Sequence, residues 1–171
     1  LELKNENFIK SIVEADNIFM GFFIQGGKTK ARIRVENSFV GDAKEDVVVS
    51  NIDNEKLRLK VKRDEFKKGE MYIFITKKDG SEFKLLEDSI TIPVANNQAN
   101  FSFNAPYMMN FWQSFDIRLF EVAAVGIREK EDKISSDSTR NTFLGLIKEY
   151  MEKNSQNDLK AALTVAYLTG I

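Results

Sequence analysis

The chain has 171 residues, 43% of them apolar and 30% charged, and a formal net charge of −1. It contains neither cysteine nor histidine. That composition excludes disulfides, thiolate nucleophiles, Ser-His-Asp and Cys-His catalysis and imidazole metal ligation, and the near-neutral charge supplies no global field to recruit nucleic acid or membrane.

The length suits one domain with a core that needs no disulfide or metal staple. Fourteen Phe residues favour β-rich packing. The longest apolar run, residues 18–24, is of strand length and far short of the roughly 20 residues that span a bilayer. The first residue is Leu1, which a cleaved leader or a trimmed terminus would both produce.

In chain order, Phe8, Ile9, Ile12 and Val13 suit a helical turn or an edge strand. Residues 18–24 and 30–36 read as two strands joined at Gly26-Gly27, which can form a two-residue hairpin turn. That turn predicts Phe22 opposite Ala31, Met20 opposite Ile33 and Ile18 opposite Val35 on the core face. Phe19 and Phe23 then lie outside, shielded by Arg34 and Lys30 through cation–π contact. Short strands follow at 47–49 and 57–61.

Residues 71–77 and 82–86 flank Asp79-Gly80, the strongest local hairpin signal in the chain. A type I′ turn there places Thr76 opposite Phe83 and Phe74 opposite Leu85. Tyr72, Phe74, Phe83 and Leu85 share one face, Ile73 and Ile75 point to the other, and the strand is expected to be covered on both sides. Residues 90–94, with Pro93, suit an edge strand. Residues 100–103 and 115–122 complete the set, the last by alternation of Phe115, Ile117 and Leu119.

Residues 128–137 are charged and Ser-rich and read as a linker. The apolar period then changes from 2 to 3.6. Phe143, Leu146, Ile147, Tyr150 and Met151 form one helical stripe, and Leu159, Ala162, Leu163, Ala166 and Tyr167 a second. Ser138 suits the first N-cap and Gly170 the last C′ position. Each stripe is too short to stabilise an isolated helix, so the hairpin is expected to pack on a surface outside itself through Phe143, Ile147, Tyr150, Leu163 and Tyr167.

The expected fold is mainly β: an antiparallel immunoglobulin-like β-sandwich over residues 1–127, a linker over 128–137 and a C-terminal αα-hairpin over 138–171. The strand layout resembles immunoglobulin-like and fibronectin-like sandwiches in general, without the Cys-Trp-Cys signature.

Two groups of residues are candidates for binding. The stretch 106–113 lies between two strands and holds the only Trp; Tyr107, Met108, Met109, Phe111 and Trp112 there could make a recognition hot spot or close the end of the core. Lys30, Arg32 and Arg34 share one strand face, and Arg58, Lys60 and Lys62 another. Adjacent, they would present a basic sheet face to a polyanion; apart, they are ordinary solvated faces. The acidic clusters match no calcium-loop spacing.

The expected function is a non-catalytic interaction or structural module, extracytoplasmic (periplasmic or cell surface) by fold analogy. It would have a protein partner, or form a homodimer through its C-terminal helices. The alternative is a carbohydrate- or polyanion-binding module. No enzyme activity, cofactor, metal or membrane span is expected, and nucleic acid is not the leading partner.

Overall fold

A computed structural model describes the backbone of residues 2–3, 5–52, 68–86, 91–105, 108–134 and 136–171, with the side chains of 2, 3, 5, 6, 8 and 101–113 outside the description. Among the described residues, the strands are β1 (Glu2–Leu3), β2 (Asn17–Gly26), β3 (Lys30–Val40), β4 (Asp46–Ser50), β5 (Met71–Asp79), β6 (Glu82–Leu85), β7 (Ile92–Ala95), β8 (Gln98–Ala105) and β9 (Met108–Asp116). The helices are α1 (Asn5–Glu14), α2 (Ile117–Glu131), α3 (Asp137–Glu152) and α4 (Gln156–Thr169).

The fold is not a plain antiparallel sandwich. β2 pairs with β3, β3 with β4, and β5 with both β2 and β6, all antiparallel. A parallel pairing of β4 with β6 joins the two ends. These five strands close into a mixed barrel, ordered β2-β3-β4-β6-β5 and back to β2. Closure removes the free edges that a sandwich leaves. The sheet extends from β5 through β7 to β8, which pairs with β9 on its far edge and lies parallel to β1.

Period-2 alternation fills the barrel. Phe19, Ala31, Ile33, Val49, Tyr72, Phe74, Phe83 and Leu85 point inward and form one core. Phe19 lies 5.7 Å from Phe74 and meets Phe83 edge-on at 5.5 Å between ring centroids. On β5, Ile73 and Ile75 point outward into a second core shared with the helices. β5 is thus covered on both faces, as its sequence predicts.

The β2–β3 register differs from the two-residue Gly26-Gly27 hairpin. Gly26 pairs with Ala31, Phe23 with Ile33, Gly21 with Val35 and Ile18 with Val40, with irregularities along β2. An irregularity re-aims the side chains beyond it. Phe19, expected outside, is therefore fully buried in the barrel. At the next hairpin Asp79 pairs with Glu82, so the loop is Gly80-Ser81. Thr76 faces Leu85 and Lys78 faces Phe83, a shift of two residues from the expected pairing. An even shift preserves the inward face.

The strand expected over 115–122 ends at Asp116, and α2 begins at Ile117. Asp116 caps it, its carboxylate accepting from the Arg118 amide at 3.0 Å. Leu119, Phe120, Ala123, Ala124 and Ile127 carry a helical stripe that outcompetes the short alternation of Phe115, Ile117 and Leu119. Residues 128–131, read as linker, are the last turn of α2. Arg128 there donates to the carbonyls of Ile12, Val13 and Ala15 and so satisfies the end of α1.

The C-terminal helical hairpin is present as α3 and α4. Ser136, rather than Ser138, caps α3 by accepting from the Thr139 amide at 3.3 Å. Gly170 ends α4 in the left-handed conformation, φ 73°. α3 and α4 pack on α2, and α4 also meets β9. α2 and α4 come close at Gly126, where an added Cβ would lie 2.7 Å from Thr169 Cγ2.

Candidate interaction surfaces

With both cores complete, α3 and α4 still leave apolar side chains in solvent. Leu163 is 68% exposed, Met151 65%, Leu144 53% and Tyr167 49%. Between the two helices runs a groove of about 250 Å³ lined by Phe143, Ile147, Leu159, Ala162, Leu163 and Ala166. The hairpin stripes divide accordingly. Phe143 and Tyr150 turn into the core, Ile147 is half-buried at the groove, and Leu163 and Tyr167 face outward. A helical period places residues on a stripe, but helix packing decides which half of the stripe is covered.

The basic candidates fall on the outer wall of the barrel. Lys30, Arg32 and Arg34 are exposed on the outer face of β3. Lys30 pairs with Glu82 at 2.6 Å, while Arg32 and Arg34 both approach the Asp46 carboxylate, at 3.7 and 3.2 Å. The register extends this face with residues the sequence reading missed. Lys30 sits opposite Ser50, Ser50 beside Lys84, and Lys84 opposite Lys77, one row across four strands. Only the parallel β4–β6 pairing brings Lys77 and Lys84 there. Arg58, Lys60 and Lys62 lie outside the described residues.

The aromatic candidates change setting. Met108, Met109, Phe111 and Trp112 belong to β9 rather than to a loop, with Phe111 paired to Phe103 and Trp112 to Ser102. Their side chains, and Tyr107 altogether, lie outside the described residues.

A polar junction joins β9, α2 and α3. Asp116 accepts from Arg118 Nε and Nη2, the latter at 2.7 Å, and from the Tyr150 hydroxyl at 2.8 Å. Burial alone would raise the Asp116 carboxyl, but the Arg118 and Tyr150 hydrogen bonds outweigh it and hold the group below its ordinary value of 3.8. Burial, then the hydrogen bond to Asp116 and that group's charge, push the Tyr150 phenol up. Arg118 also reaches Glu149 at 2.9 Å. Asp158, at the start of α4, opens on the same junction, and one of its carboxylate oxygens is buried without a hydrogen-bond partner among the described residues. Burial, reinforced by the charge of Asp116, raises its carboxyl.

No group of three or more acidic side chains that could hold a metal occurs among the described residues, and none of their helices is long and apolar enough to cross a membrane. Neither the protein-family models nor the curated proteins include a match to this chain.

Proposed function

We propose that the chain is a non-catalytic interaction module that binds a partner protein across the α3–α4 face. One observation carries this: Leu144, Met151, Leu163 and Tyr167 stay exposed beside an apolar groove although each core is already filled. A patch of this kind on a folded surface favours a docking role. Leu and Met side chains adapt readily to a partner's shape. The absence of His and Cys removes the commonest nucleophile–base pairs and accords with a binding role. The extracytoplasmic location expected above rested on likeness to surface sandwiches. A barrel takes away that support, and docking by this face would serve in either compartment.

The test is site-specific photo-crosslinking in the native cell, with the crosslinker at Leu163 in one variant and at Arg32 in another. Adducts from position 163 and not from position 32 are expected. Adducts from position 32 alone would overturn the docking assignment.

A second reading is favoured by the barrel wall. Two guanidinium groups there share one carboxylate, Asp46, and Lys77 and Lys84 stand side by side, so the face keeps positive charge after its ion pairs are made. Five-stranded Greek-key barrels of the oligonucleotide- and oligosaccharide-binding type use the face of their second and third strands and the 1–2 and 4–5 loops. The corresponding parts here are β3, β4, residues 27–29 and Gly80-Ser81. The likeness is architectural. Binding to heparin that falls steeply with salt, and that Arg32→Glu with Arg34→Glu abolishes, would support it; salt-independent or absent binding would end it.

A further inference from the structure

We propose that the α3–α4 groove receives an amphipathic helix of a partner protein whose flanks are acidic. This rests on the docking function proposed above and adds the chemistry of the occupant.

The groove sets the shape. At about 250 Å³ it falls below the usual range of enclosed small-molecule pockets, and it lies open between two helices. Its lining repeats at helical spacing on both sides: Phe143 and Ile147 on α3, Leu159, Ala162, Leu163 and Ala166 on α4. A row of apolar anchors at i, i+4 and i+7 on one helix matches such a channel. Leu144 and Met151 extend the apolar surface past one wall and Tyr167 past the other.

The rim sets the charge. Arg140 and Lys148 on α3 and Lys160 on α4 are exposed and make no ion pair among the described residues. Lys160 lies one turn before Leu163, and Arg140 one turn before Leu144, so both cations stand next to the exposed apolar side chains. Of the acids on the same helices, Asp137 and Glu152 stand one turn from Arg140 and Lys148, and the others are engaged away from the groove. Asp137 and Glu152 occupy the two ends of α3, Glu149 is held by Arg118 and Lys153, and Asp158 faces the Asp116 junction. Acidic side chains beside the anchors of an incoming helix would meet Arg140, Lys148 and Lys160. A second copy of this chain, docked by the same face, would oppose basic rims to each other, and like charges across an interface are unfavourable.

The test uses two synthetic peptides of about 18 residues, long enough to populate a helix. Both carry Leu at i, i+4, i+7 and i+11; one has Glu at the flanking positions and the other Lys. Fluorescence anisotropy with the full chain measures binding by the wild type, by Leu163→Glu and by the combined Arg140→Glu, Lys148→Glu, Lys160→Glu variant. All substituted positions are exposed, and circular dichroism checks that each variant folds.

The Glu peptide is expected to bind the wild type at least about tenfold more tightly than the Lys peptide, with the preference narrowing as salt screens the charges. The triple variant should invert the preference, and Leu163→Glu should abolish binding of both peptides. Equal binding of the two peptides, both lost in Leu163→Glu, would overturn the acidic flank and leave docking standing. Failure of both peptides to bind, together with no crosslink from position 163, would overturn both. A wild-type dimer in sedimentation that Leu163→Glu dissociates would assign the groove to a second copy and overturn the acidic partner.

Discussion

The Tyr150 hydroxyl donates a 2.8 Å hydrogen bond to Asp116 Oδ2, tying the last turn of α3 to the residue where β9 becomes α2. Tyr150 is buried, so no water replaces the bond freely. A hydrogen bond to a charged group contributes roughly 1.5–3 kcal/mol, and Tyr150→Phe should lower the unfolding free energy by about that much at pH 7. The folded Asp116 carboxyl is held below 3.8, so its contribution is present above that value and is lost as pH falls through the lower, folded pKa. Denaturant melts should therefore show the gap between wild type and Tyr150→Phe shrinking as pH drops below 3.8. A gap that stays constant down to acid pH would contradict the role given to Asp116.

Phe74→Ala should be the most damaging truncation in the barrel. Phe74 is fully buried, with ring neighbours Phe19 at 5.7 Å and Tyr72 at 6.2 Å. Emptying such a site costs about 3–5 kcal/mol. For a chain of this size that lowers the melting temperature by about 6 °C or more. A shift under about 3 °C in a calorimetric scan would mean that the barrel interior collapses to fill the space.

Gly126→Ala should destabilise the α2–α4 contact, because the new Cβ would lie 2.7 Å from Thr169 Cγ2. Overpacking of this sort costs about 1–3 kcal/mol. Thr169→Ser removes that methyl and keeps the hydroxyl that donates to the Val165 carbonyl at 2.8 Å. The double variant should recover much of the loss. Purely additive effects in the double-mutant cycle would show that the two residues are not coupled.

Asp158→Asn should raise the melting temperature at pH 7. The Asp158 carboxyl is raised by burial and by the Asp116 charge, so its ionised form is disfavoured in the fold. The sign is the reverse of that for Asp116: the cost appears as pH rises through the raised, folded pKa and is absent below 3.8. The variant and the wild type should therefore converge in acid. An Asn variant that melts lower at pH 7 would show that the charge at the first turn of α4 outweighs its desolvation.

The sequence determined faces. Strict alternation in β3 put Ala31 and Ile33 inside and Lys30, Arg32 and Arg34 outside, and an apolar stripe on each side of β5 showed that it would be covered twice. The period of 3.6 marked α3 and α4, and Gly170 marked their end. The groove residues were legible as stripes, though not as a groove. What the tertiary structure decided is which strand neighbours which. A period of 2 specifies the direction of a side chain and carries nothing about the partner of its backbone, so the parallel β4–β6 pairing that closes the barrel and aligns Lys30 with Lys84 left no local trace. The same limit hid α2. Phe115, Ile117 and Leu119 satisfy a strand, while Leu119, Ala123 and Ile127 satisfy a helix, and the choice between them rests on Asp116 and the core that receives Leu119, Phe120 and Ala123.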